Sequence, residues 1–243
     1  MIDGTMADTT LSLSAFPFLT PDEFGSACRA LAERTRSCTA AQVDGGWSSV
    51  RLVTQNTISL KISKLFEVQS PVLDDADLRE VSTLTDASRS MQAQAEARAM
   101  EDVDEDPEAL VRTDLYPTLQ IDYDIVFSPI YQVPVLYFVL RWHNHQGPVG
   151  LDAVYQYVVP EQYRQQLQSV GVMGGISFGY HPESGAPAFF VHPCNTADAM
   201  AHVADGQSVT TGTYLLIWLG LVGQSVNLHI PCEIVVSDGA SPY

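Results

Sequence analysis

The chain has 243 residues, 46% of them hydrophobic, enough for one domain with a sizeable core. Its 29 acidic against 12 basic residues give a formal charge of −17, which argues against nucleic acid or an anionic membrane surface as the main partner. The longest apolar run, 214–222, is far short of the roughly 20 residues that span a bilayer. The first residues show no basic and apolar signal segment, so a cytoplasmic protein with reduced cysteines and no stable membrane insertion is expected.

Thr20-Pro21-Asp22-Glu23 predicts a helix start. Thr20 can cap, Pro21 suits the first helical position, and Glu23 completes a capping box. Phe24, Cys28, Leu31 and Ala32 then share one helical face, which puts Cys28 in the core. Cys38 falls in a polar stretch leading to a loop. Trp47 to Val53 and Ser59 to Val68 predict two strands joined by a turn near Gln55-Asn56, with imperfect alternation at Leu60, Ile62 and Leu65. The second strand carries the only lysines, Lys61 and Lys64. An enzyme that delivers a carrier to lysine amines would benefit from few lysines of its own, although codon bias is the plainer account.

Residues 74–108 differ from their surroundings, with twelve acidic side chains, three basic ones and no aromatic. Such a segment cannot bury enough surface to offset chain entropy, so a largely disordered acidic insertion in a single domain spanning 1–243 is expected. It could tune docking to a basic partner surface, or be solvated filler.

Leu119 to Phe127 alternates like a half-buried strand, and Pro134 to Trp142 is apolar enough for a central one; Ser128-Pro129 joins them as a hairpin. His143-Asn144-His145 offers two potential metal ligands, but no third is indicated. Short helical pieces follow at 151–156 and 160–167. Ala186 to Val191 reads as extended chain, Thr196 to Val203 as a short helix, and Thr213 to Val222 as a buried helix carrying Trp218. Cys232, after Pro231, reads as structural. This order of helix, strands and helices is an α+β arrangement.

None of the four cysteines forms a CxxC pair, which argues against a zinc ribbon or a dithiol site. Cys194 stands out because it immediately precedes a predicted helix, where backbone N–H groups lower a thiol's pKa. Thr196 could cap that helix, Pro193 removes a competing donor, and His192 could supply a hydrogen bond or take a proton. A buried structural cysteine remains the alternative on these residues alone.

Three motifs occur in order: YQVPVLYF from Tyr131, FFVHPC ending at Cys194, and YLLIWLGLVG from Tyr214. With Phe18-Leu19-Thr20 before the first helix, they resemble the autophagy-related protein 10 family, the E2-like ubiquitin-fold conjugating enzymes of autophagy. The resemblance spans most of the chain outside 74–108. It implies an E2-like core with a four-stranded antiparallel sheet and flanking helices, and no cofactor. It further implies that the E1-like autophagy-related protein 7 passes the ubiquitin-like autophagy-related protein 12 to Cys194 as a thioester. Delivery to a lysine of autophagy-related protein 5 follows, with possible recruitment to pre-autophagosomal membranes.

Ubiquitin-type relatives use the asparagine of a His-Pro-Asn run. Here His181-Pro182-Glu183 has glutamate third, which puts that role in doubt. His192, Tyr131 and Asn195 are the supporting candidates. Tyr131 could orient the lysine or merely cap the hairpin; Asn195 could assist or cap a helix. The edge of the 119–142 strand pair could take up a strand of the acceptor. The lipid-conjugating autophagy-related protein 3 shares HPC and is the runner-up, and an inactive E2-like binding module is a further alternative.

Overall fold

The computed structural model describes residues 12–37, 46–54, 57–68, 117–144, 146–170, 175–204 and 207–236. The acidic stretch 74–108, Cys38 and His145 lie outside them. Apart from the last residue of the second strand, every element below belongs to the unit formed by Met1–Phe66 and Thr118–Tyr243.

The first helix, α1 (Pro21–Ser37), starts as its sequence predicts. Glu23 N–H donates to Thr20 Oγ1 (3.2 Å), and Thr20 N–H donates to Glu23 Oε2 (2.7 Å). Ser14 N–H donates to the other carboxylate oxygen (2.7 Å), tying the preceding chain to the same box. Phe24, Ala27, Cys28 and Leu31 form the buried face.

Six strands are found among the described residues: β1 (Trp47–Val53), β2 (Ser59–Glu67), β3 (Thr118–Ser128), β4 (Val133–His143), β5 (Ile176–Tyr180) and β6 (Pro187–Val191). They form one sheet in the order β1-β2-β3-β4-β6-β5. The pairs β1/β2, β3/β4, β4/β6 and β5/β6 are antiparallel. The expected sheet of four strands is therefore extended to six. The strand not anticipated, β5, is short and interrupted by Gly179, with Phe178 and Tyr180 exposed, so its composition gives little sign of a half-buried strand. A second expectation narrows with it: β3 and β4 lie inside the sheet, flanked by β2 and β6, although β6 is in register with β4 only at Tyr137 and Phe138.

The β3–β4 hairpin pairs without interruption from Thr118↔His143 to Ser128↔Val133. On one face Leu119, Ile121, Tyr123 and Ile125 meet Leu136, Phe138 and Leu140, all buried. The row Leu60, Ile62, Lys64 extends this buried set, and Leu65 is exposed. Phe24 of α1 packs on Phe127, 5.6 Å between ring centroids. Each large apolar side chain removed from water contributes roughly 1.5–3 kcal/mol.

The helices that follow are α2 (Leu151–Ala153), continued by a π-helical turn Val154–Val158, then α3 (Glu161–Val170), α4 (Thr196–Val203), α5 (Thr211–Val222) and α6 (Cys232–Val236). α5 packs along α1. It buries Tyr214, Leu215, Trp218 and Leu219, and Tyr214 Oη–H donates to Pro17 O (2.7 Å). Gly223 ends α5, and a Cβ there would run into the carbonyl oxygen of Leu228. This tight return presents two carbonyls to the sheet: Val226 O accepts Tyr123 Oη–H (2.6 Å), and Asn227 O accepts Lys64 Nζ–H (2.9 Å). Burial lowers the Lys64 pKa.

Burial pushes the Glu23 carboxyl up, but the backbone N–H groups of Thr20 and Ser14 and their hydroxyls outweigh it, and the net direction is down. A carboxylate depressed on folding adds stability that is present above its ordinary value of 4.5 and lost as pH falls through the folded value. We expect Thr20→Ala to cost about 1 kcal/mol in urea denaturation at pH 7. Glu23→Gln should destabilise at pH 7 and converge on the parent protein in the acid range below the ordinary carboxylate value.

Candidate active site

β6 runs out of the sheet into His192 and a single 3₁₀ turn, Pro193–Asn195, that feeds α4. Proline at 193 biases His192 to extended backbone, observed at φ −67°, ψ 126°. From there the imidazole reaches forward, and Cys194 N–H donates to His192 Nδ1 (3.2 Å). His192 N–H in turn donates to Gly175 O (3.1 Å). The cap of this turn is therefore His192 rather than Thr196. Thr196 is already helical and buried, and its N–H donates to Pro193 O. Asn195 flanks α4 but is exposed, and its side chain makes no capping hydrogen bond.

Tyr131 arrives from the β3–β4 turn. Gln132 takes a left-handed conformation (φ 54°) there, its N–H donates to Ser128 O (2.7 Å), and its carbonyl accepts Leu19 N–H (2.8 Å). Tyr131 N–H donates to Ser128 Oγ (3.3 Å). Tyr131 is 39% exposed, and its ring stands edge-on to His192 at 5.8 Å. The structure thus gathers Tyr131, His192 and Cys194. Pro193 is buried, and its turn lies against β4, where Val133 and Val135 are also buried.

The thiols are not equivalent. Cys28 is fully buried, and burial pushes its pKa far up. Cys194 is half-buried. Cys232, expected to be structural, is exposed at the start of α6 because the apolar face of that short helix is carried by Ile234. Tyr123 is a core residue of the sheet. His143 faces Gln120 Oε1 at 2.8 Å. Among the described residues no group of three or more His, Cys, Asp or Glu is placed to hold a metal, and no helix is long and apolar enough to cross a membrane.

The polar side of the sheet holds a second cluster that sequence reasoning missed. A cavity of about 440 Å³ is lined by Lys61, Asp122, Asp124, Tyr137, Arg141 and His181 among others. Lys61 Nζ lies 2.6 Å and His181 Nε2 3.1 Å from Asp124 Oδ2, with Asp124 and His181 each 7% exposed. Burial pushes Asp124 up, but His181 and Lys61 hold its carboxyl below the usual range. The N–H groups of Glu183 and Ser184 donate to His181 Nδ1 (3.3 Å each). Glu183 itself is exposed in the β5–β6 turn, at the opposite end of β6 from Cys194. The sequence signal for this cluster was an acid at 124 beside the apolar run Ile125-Val126-Phe127, in register with a tyrosine.

Residues 23–233 match the family model described as autophagocytosis associated protein, active-site domain. A Gibberella zeae protein named ubiquitin-like-conjugating enzyme ATG10 is 31% identical, covering 93% of this chain and 100% of that protein. The chain belongs to the ATG10 family. The Arabidopsis thaliana ATG10 is 29% identical over 89% of the chain and 95% of its own length. The solution structure of KmAtg10 aligns at 11% identity with a TM-score of 0.39, over 88% of this chain and 99% of that one. Membership in the ATG10 family makes this chain an E2-like ubiquitin-like-conjugating transferase of autophagy.

In the folded protein, brief alkylation with iodoacetamide at neutral pH should modify Cys194 and Cys232 and spare Cys28. Peptide mass spectrometry reads the three sites separately, and Cys28 should react only after denaturation.

Proposed function

We propose that Cys194 accepts autophagy-related protein 12 from the E1-like autophagy-related protein 7 as a thioester and transfers it to a lysine of autophagy-related protein 5. The observation that carries this reading is the half-buried Cys194 on a turn capped by His192, beside Tyr131, in a chain of the ATG10 family. In the first step the Cys194 thiolate attacks the carrier's carbonyl carbon; a new C–S bond forms and the sulfur of the activating enzyme leaves. In the second, the acceptor amine attacks that carbon, a C–N bond forms, the amine loses a proton to solvent or a nearby base, and the Cys194 sulfur departs as thiolate.

His192 Nδ1 is occupied as an acceptor, so the neutral ring carries its proton on Nε2. Nε2 is then a donor, suited to a developing oxyanion. Taking a proton there from the neutral ring would require the other tautomer, whose Nδ1–H cannot accept from Cys194. This favours the hydrogen-bonding role of His192 over the role of base. Tyr131, edge-on to His192 and partly exposed, is suited to orient the incoming amine. Asn195 is exposed beside the sulfur's residue and free of capping, so it too can meet a partner. The chain's own amines compete poorly: Lys61 is paired with Asp124, and Lys64 is buried against Asn227. The ATG10 name of the relatives favours this reading over the lipid-conjugating one.

With autophagy-related proteins 7 and 12 and ATP, the protein should form an adduct on non-reducing gels that disappears with reductant and is absent in Cys194→Ala. A stable complex with no adduct would leave only the binding-module reading. Tyr131→Phe should charge normally and discharge to the acceptor about tenfold more slowly, a barrier increase of about 1.4 kcal/mol.

A further inference from the structure

β6 leads into the turn that holds Cys194, yet little backbone ties it to the middle of the sheet. Its register with β4 consists of two pairs, Tyr137↔Phe190 and Phe138↔Phe189, and its other neighbour, β5, is the edge of the sheet. Side chains supplement this. On the core face the rings of Phe138, Phe189 and Phe178 follow one another at 5.7 and 5.3 Å. On the polar face the succession is His181, Tyr137, Phe190, His192, at 5.0, 5.4 and 6.2 Å. His181 ends this row, and its Nε2 reaches past β4 to Asp124 on β3. Its ring cannot turn freely, because Nδ1 holds the N–H groups of Glu183 and Ser184. Asp124 is itself fixed by Lys61 of β2.

We propose that His181, anchored by Asp124, is a positioning residue for Cys194: it pins the β5–β6 turn to the centre of the sheet and so sets where β6 delivers the His192–Cys194 turn. The contact is buried at both ends, so it is little screened; losing Asp124 leaves the buried His181 Nε2 without a partner, and losing His181 leaves Asp124 held by Lys61 alone. The ring row Tyr137–Phe190–His192 joins the pinned end of the hairpin to the thiol end. This inference rests on the reading of Cys194 as the acyl carrier only for its kinetic consequence; its structural consequence stands alone.

The test uses the full chain with His181→Phe, which keeps a ring against Tyr137, Asp124→Asn, which keeps the shape, and the double variant. Two readouts are taken well below the melting temperature: charging of Cys194 by the activating enzyme, ATP and carrier, and the backbone amide resonances of His192, Cys194 and Asn195. We expect kcat for charging to fall about tenfold with KM for the activating enzyme unchanged. The three amide resonances should move although they lie at the far end of β6, and the double variant should be no worse than either single one. His181→Gln, which still donates to Asp124, should recover most of the rate. Unmoved resonances with wild-type charging would overturn the proposal, as would losses that simply add in the double variant. If His181→Phe fails to fold, Asp124→Asn decides by the same readouts. If the parent protein itself never charges, the proposed function fails, and the amide resonances still decide the positioning role.

Discussion

The uninterrupted pairing of β3 with β4 is the constraint from which the rest of the structure follows. Its register fixes which side chains face the helices and which face the polar groove, because a slip of one residue would exchange the two sets. The core set then receives α1 through Phe24 and Phe127 and the 223–228 turn through Tyr123 and Lys64. The same hairpin's turn binds Leu19 at the entrance to α1 and carries Tyr131 to the thiol. One pairing thus locates both the helix that covers the core and a side chain of the candidate site.

Charge inside the fold follows the same frame. Asp124 sits on the middle strand, where an isolated carboxylate would be expensive to bury, and partners reach it from both flanks, Lys61 Nζ from β2 and the His181 ring from the β5–β6 turn. Asp122, two residues earlier on the same face, takes Arg141 Nε at 3.0 Å and accepts Ser63 Oγ–H at 2.8 Å. These contacts span β2, β3, β4 and the hairpin turn. They align strands whose backbone pairing alone differs greatly in length, from the full β3–β4 ladder to the two register pairs between β4 and β6.

Much of this was legible where the signal is local. The capping box at Thr20 and Glu23 needs four residues, and it formed as written. The hairpin strands carry their own alternation, and the short helix expected at 196–203 forms with those bounds. What failed was non-local. β5 becomes a strand only because β6 pairs with it, and nothing in Ile-Ser-Phe-Gly-Tyr demands that. Lys64 occupies a core-facing position that a hydrophobic pattern would reject, because its acceptor, Asn227, lies 163 residues away. At the site, Cys194, His192 and Tyr131 were each indicated by motif. The His192 cap was not, since a ring nitrogen folding forward onto the second following N–H competes with the more familiar threonine hydroxyl.

That cap bears directly on how a thiol at this place can work. A nucleophile at the start of a helix gains from N–H groups that stay oriented while charge moves on and off the sulfur. In the 3₁₀ turn the Cys194 N–H is already committed to His192, so it is held in direction but is not wholly available to the sulfur. The balance can change when a partner binds. Any movement of His192 would free that N–H, and His192 touches both Tyr131 and Phe190. Tyr131 is partly exposed on the hairpin turn, and Phe190 belongs to the ring row that ends at the buried His181. The imidazole therefore stands between a surface a partner can reach and a fixed point inside the sheet.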